Sequence, residues 1–158
     1  MSGKFEFSAG EALYIALRME ERAISLYERA LLVFSLGELK QVMMDLLREE
    51  KEHRDSFRRL MDSDEGQPGP ERTLLLDDEA GKALFTSGLT GAVREGAFDS
   101  GLSLLQYAAD EEERAAKRYR EFALLARGEA RETFLMIAEQ EALHLESLTA
   151  QIRQYRAP

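Results

Sequence analysis

Glu49-Glu50-Lys51-Glu52-His53 has a counterpart in Glu141-Ala142-Leu143-His144, and these two stretches hold both histidines of the 158-residue chain. Glu and His three apart share one face of a helix, so each Glu-x-x-His can turn both side chains to the same neighbour. A second duplication lies upstream of each. Glu20-x-x-Ala23-x-x-x-Tyr27 precedes the first pair, and Glu112-x-x-Ala115-x-x-x-Tyr119 precedes the second. The offsets agree, 53 − 20 = 33 and 144 − 112 = 32 residues. A helical hairpin has been used twice.

Working outward, Ser8-Ala9-Gly10-Glu11 is a capping-box signature that starts a helix. Its apolar face reads Leu13, Ala16, Leu17, Ala23, Ile24, Tyr27, Leu31 and Phe34 at spacings of three and four, and Gly37 interrupts it. A second helix carries Leu39, Val42, Met43, Leu46, Phe57 and Leu60. Residues 62–71 read as a linker that no helix survives. The following 72–99 hold a weaker pattern, with a short helix near Asp77–Phe85 and Gly81, Gly88, Gly91 and Gly96 breaking longer runs. A third helix runs from about Ser100 with Leu105, Ala108, Ala115, Tyr119 and Phe122, and Gly128 closes it. The fourth carries Phe134, Ile137, Ala138, Leu148 and Ile152. The expected fold is all-α: one domain over 1–158, with hairpins 8–62 and 100–156 joined by a crossover at 63–99. Short loops make antiparallel neighbours, whereas a long connection can cross a bundle.

The polar residues on these stripes decide the chemistry. Glu20 falls between Leu17 and Ala23, Glu50 and His53 between Leu46 and Phe57, Glu112 between Ala108 and Ala115, and Glu141 with His144 between Ile137 and Leu148. Helix geometry points all six inward. The midpoint of 20 and 53 is 36.5, beside Gly37, and the midpoint of 112 and 144 is 128, at Gly128. Each set therefore lies on the order of 24 Å from its turn, at one shared depth. Four buried carboxylates without partners are prohibitively unfavourable or must protonate. No Lys or Arg stands on these stripes to neutralise them. Two divalent cations balance four carboxylates, and two neutral imidazoles complete the ligand set. Within Glu111-Glu112-Glu113 only Glu112 is expected inward; its neighbours, like Glu49 and Glu52, read as a solvated flank. Tyr27 and Tyr119 lie two turns beyond their glutamates, either as core aromatics or as hydroxyl donors to a ligand carboxylate of a neighbouring helix.

Composition sets bounds on the rest. Apolar residues make up 44% and charged residues 32%, enough for one core in a helical protein. The absence of Cys excludes disulfides, thiolate zinc sites, iron–sulfur clusters and a thiol nucleophile. A net charge of −9 argues against nucleic acid and anionic lipid as partners. No apolar run approaches the roughly 18 residues of a membrane span. Residues 1–11 lack the order of a signal peptide, so a cytoplasmic location is expected.

Carboxylates and paired imidazoles around two cations are the pattern of ferritin-like di-iron and di-manganese proteins. The chain resembles that superfamily, and within it the rubrerythrin branch, over residues 8–62 and 100–156. The motifs are Met19-Glu20-Glu21-Arg22-Ala23 with Tyr27, Glu49-Glu50-Lys51-Glu52-His53, and Glu141-Ala142-Leu143-His144. The resemblance implies that Glu20 with His53 holds one iron and Glu112 with His144 the other, Glu50 and Glu141 bridging them. It also implies redox chemistry with hydrogen peroxide or dioxygen, as a peroxide reductase or ferroxidase, and a homodimer. There are three departures. Ala115 stands where rubrerythrins usually carry a further Glu. Without Cys there is no rubredoxin domain, so electrons need a separate, rubredoxin-like donor. Lys51 follows Glu50 where haem-binding bacterioferritins carry Met, so no haem is expected. The alternatives are an iron-storing or oxidant-sensing protein without turnover, a di-manganese, catalase-like protein, and a purely structural bundle. Oxygen and nitrogen ligands accept Mn, Fe or Zn.

Overall fold

In the computed structural model, which describes residues 7–33, 37–63, 70–83 and 92–156, every regular element is α-helical and no strand occurs among those residues. Ser8 starts the first helix as its spacing requires. Its hydroxyl accepts from the Glu11 N–H at 3.1 Å, and the Glu11 carboxylate accepts from the Ser8 N–H at 3.0 Å. Helix α1 then runs Ala9–Val33, α2 Gly37–Ser63, α3 Pro70–Ala83, α4 Gly101–Ala123 and α5 Gly128–Arg156. Ser100 caps α4 by accepting from the Ser103 N–H at 3.0 Å. Phe34, Phe85, Gly88 and Gly91 lie outside the described residues.

Gly37 and Gly128 have φ of +41° and +58°, in the left-handed region that admits glycine without steric cost. A Cβ at either would meet nothing within 4 Å, so backbone conformation rather than space selects glycine there. Gly37 lies beside the midpoint of Glu20 and His53, and Gly128 at the midpoint of Glu112 and His144.

Helix α1 packs chiefly on α2, and α4 chiefly on α5; the two pairs touch more lightly along α1–α4 and α2–α5. The core runs between them, with Met43, Phe57, Leu105, Ala108, Tyr119, Phe134, Ile137 and Leu148 buried. In α1 the buried arc is wider than the expected stripe and also takes in Ala12, Ile15, Met19 and Leu26. Helix α3 lies against α1 as well.

Helix α3 corrects two expectations. It begins at Pro70, inside the stretch read as linker, and not near Asp77; among described residues it ends at Ala83. Proline at a first helical position lacks only an N–H that would have no partner, and its fixed φ suits the helix. One side of α3 is then tied to α1. Asp77 accepts from the Tyr14 hydroxyl at 2.9 Å and from Arg18 Nε at 3.0 Å, Arg72 pairs with Glu11, and Leu76 is fully buried. These contacts outweigh the roughly 1 kcal/mol that Gly81 costs within a helix. No helix among the described residues is long and apolar enough to cross a membrane.

Candidate metal centre

Four helices deliver the six inward residues to one place. Glu20 comes from α1, Glu50 and His53 from α2, Glu112 from α4, and Glu141 and His144 from α5. They are 1%, 1%, 3%, 3%, 2% and 6% exposed in that order, among the deepest polar groups described. Two quartets of potential ligands form, Glu20/Glu50/His53/Glu141 and Glu50/Glu112/Glu141/His144, each with ligand atoms within 4.8 Å of one another. Glu50 and Glu141 belong to both.

The polar atoms at the centre lack the partners that buried groups require. Glu20 Oε2, Glu50 Oε1, Glu112 Oε2, Glu141 Oε1, His53 Nδ1 and His144 Nδ1 make no hydrogen bond. Each of the six residues thus contributes one orphan. The imidazoles do approach carboxylates. His53 Nδ1 is 2.8 Å from Glu141 Oε1, 3.6 Å from Glu20 and 3.8 Å from Glu50. His144 Nδ1 is 3.1 Å from Glu50 Oε1 and 3.5 Å from both Glu112 and Glu141. These are close contacts without the alignment of a hydrogen bond, as in a ligand cage drawn in around a centre. A cation fits the donor set, because four carboxylates and two imidazoles are oxygen and nitrogen ligands suited to Mn, Fe or Zn.

Electrostatics describe the same crowding. Burial, then the neighbouring Glu50, holds Glu20 well above the usual carboxylate range; burial, then Glu112, Glu50 and Glu20, does so for Glu141. Glu50 goes the other way: burial opposes its charge, but contacts from Glu20, His144 and His53 hold it well below. Burial also opposes charging the imidazoles. The surrounding carboxylates win, lifting His53 far above its ordinary value and pushing His144 up to about 11. In the absence of a metal, protons on the rings stand where cations are wanted.

Two tyrosines donate to the cluster, one from each helical pair. Tyr27 on α1 donates to Glu112 Oε1 on α4 at 2.7 Å, and Tyr119 on α4 donates to Glu20 Oε1 on α1 at 2.7 Å. Both phenols are fully buried, and burial followed by the nearby glutamates raises their pKa well above the ordinary value. Beyond Tyr119 lies an aromatic layer: its ring centroid is 5.3 Å from Phe57, and Phe57 is 5.4 Å from Phe134. Dry walls of this kind strengthen every charge interaction inside them.

Two expectations about flanking acids are overturned. Glu111 is 3% exposed rather than solvated, while Glu113 is exposed as expected. The buried arc of α4 is wider than its stripe, and Arg114 donates to Glu111 Oε1 at 3.2 Å. Glu49 is not a bystander either. Its Oε2 lies 2.5 Å from His144 Nε2, while the side chain stays 41% exposed. Gln140, which sequence reasoning passed over, matches it at the other ring, with Oε1 at 2.7 Å from His53 Nε2. Both acceptors oblige Nε2 to carry the proton, so in each ring Nδ1 is the atom facing the cluster. The signal was in the chain: each Glu-x-x-His is preceded by a side chain with an acceptor oxygen. Glu52 is exposed, as read.

Fold and site together define an all-helical protein with a buried Glu/His cluster able to hold metal. No protein-family model, curated protein or solved structure matches the chain.

Proposed function

We propose that this chain is a ferritin-like, rubrerythrin-type protein that holds two divalent cations, iron by preference, and reduces hydrogen peroxide or dioxygen with electrons from a separate donor. The observation that carries this reading is the set of six partnerless inward atoms, arranged as two quartets that share Glu50 and Glu141. Glu20 with His53 would hold one ion, Glu112 with His144 the other, and Glu50 and Glu141 would bridge them. Two divalent charges neutralise four carboxylates once both imidazoles are neutral, which removes the repulsion now borne by Glu20 and Glu141. When bound, a ferrous pair supplies two electrons to an oxidant.

The chain's own contribution is positional. Glu49 and Gln140 fix each ring with Nδ1 inward. Tyr27 and Tyr119 orient the two unshared carboxylates. The phenylalanine layer beside Tyr119 excludes water from one side. Protein freed of metal and titrated with ferrous iron should take up two equivalents and oxidise them when peroxide is added. Equal iron binding by Glu50→Ala/Glu141→Ala would sink the assignment. A single oxidation per site, with no cycling when reductant is supplied, would place the protein with iron storage or oxidant sensing. Manganese in protein isolated from its own host would point to catalase-like chemistry.

A further inference from the structure

The two halves of the centre are built to one plan. Each has one unshared glutamate, Glu20 or Glu112, one imidazole, and the same pair of shared carboxylates. Each unshared glutamate receives a tyrosine hydroxyl from across the core at the same 2.7 Å. Each imidazole turns Nδ1 inward and gives its Nε2–H to the residue that precedes the other half's Glu-x-x-His. There the symmetry breaks. His53 is backed by the amide oxygen of Gln140, and His144 by the carboxylate of Glu49.

We propose that this substitution makes the halves unequal: Glu49 renders the Glu112/His144 half the stronger cation site, the one that fills first. The inference rests on the metal-centre reading above and adds an order of filling to it. A carboxylate acceptor makes a charge-assisted hydrogen bond about twice as strong as a neutral one. By drawing the Nε2 proton it makes the opposite ring nitrogen a better donor to a cation, and it adds a negative charge outside the ligand set. Outer partners of ligating histidines typically change metal affinity 10–100-fold. Glu49 is 41% exposed, so water screens its charge and the lower end, about tenfold, applies. The rings differ too in how closely they approach the carboxylates, His53 Nδ1 to within 2.8 Å of Glu141 and His144 Nδ1 to within 3.1 Å of Glu50, and exchanging residues 49 and 140 separates that difference from the outer acceptors. Ligand types, tyrosine distances and bridging carboxylates are all the same, so the order of filling falls to Glu49 and Gln140 as positioning residues.

The chain has only two histidines, so imidazole NMR reads each half separately. Zn2+, which is diamagnetic, is added to metal-free protein carrying 15N-labelled histidine. At one equivalent, His144 Nδ1 should show the coordinated shift in most molecules, with His53 following on the second equivalent. In Glu49→Gln both rings are backed by amides and should fill together. In Glu49→Gln/Gln140→Glu the order should invert, His53 first. These exchanges keep side-chain size at partly exposed positions, and the single variant stands if the double variant folds poorly. Parallel filling of both rings in the wild type, or an order that survives the exchange, overturns the inference while leaving the two-metal centre intact. If two equivalents of Zn2+ perturb neither ring, the metal centre itself is wrong and the inference goes with it. Negative cooperativity between two cations also yields stepwise binding, but it cannot choose a histidine or reverse the choice on exchanging residues 49 and 140.

Discussion

Raising the pH on metal-free protein should destabilise it, and adding metal should abolish that dependence. The folded state lifts both imidazoles, His144 to about 11, because Glu112 and Glu50 outweigh the burial that opposes its charge. A group whose pKa is raised by folding stabilises fully below its unfolded value, near 6.5 for histidine, and loses that contribution as pH climbs to the folded value. The folded chain therefore keeps a proton on His144 that the unfolded chain releases. Each such proton costs about 1.4 kcal/mol per pH unit, so His144 alone removes about 3 kcal/mol between pH 6.5 and 9. That is a large share of the roughly 5–15 kcal/mol that holds a domain together. His53 acts in the same direction, as do Glu20 and Glu141, whose carboxyls are also raised. Glu50 is held low and acts oppositely, but its contribution is lost only on acidification below the carboxylate's ordinary 4.5. Urea denaturation at pH 6.5, 7.5 and 8.5, with chelator and then with saturating Mn2+, measures the slope. Metal-free stability should fall steadily, while the Mn2+-loaded protein, its imidazoles already neutral, should stay level. A metal-free protein whose stability is flat or rising over that range would refute the reasoning, since its rings would then be uncharged when folded.

Metal loading should expel more than two protons near neutral pH, one from each Nδ1 and the rest from the raised Glu20 and Glu141 carboxyls, which calorimetry in buffers of different ionisation enthalpy will count. Tyr27→Phe leaves Glu112 Oε1 without its donor beside an Oε2 that already lacks one. It should cost about 1.5–3 kcal/mol by urea denaturation, with Tyr119→Phe costing a similar amount through Glu20. Asp77→Ala removes the acceptor of Tyr14 and Arg18. The Arg18 and Asp77 side chains are 38% and 30% exposed, so the loss should be about 1 kcal/mol, seen as faster amide exchange in α3 with metal stoichiometry unchanged.

What was legible in the chain was whatever repeats or recurs with a helical period. The six inward positions, the Ser8 capping box and the glycines at the two turns follow from spacing, because a helix converts spacing into direction. Three things escaped this logic. The start of α3 is set by a proline and by ion pairs to α1 more than fifty residues earlier, and no local pattern encodes such pairing. Glu111 is buried beside the Glu112 stripe and pairs with Arg114 on its own helix, and a run of three glutamates does not reveal that the covered arc extends to it. Glu49 and Gln140 sit at the edge of their stripes, where sequence alone gives a solvated flank and an outer hydrogen bond the same appearance.

The shortest contacts of the site share a further property: each crosses between the halves of the chain. His53 Nδ1 lies nearest Glu141, and His144 Nδ1 nearest Glu50. Gln140 backs His53 and Glu49 backs His144. Tyr27 serves Glu112, and Tyr119 serves Glu20. The duplicated sequence thus encodes not two sites but two complementary half-sites, neither of which can complete a ligand quartet alone. The α1–α4 and α2–α5 contacts that join the halves are also lighter than those within each pair. A cation held by Glu50 and Glu141 together would bind only the docked state, so its binding free energy adds to the stability of the interface where packing is thinnest.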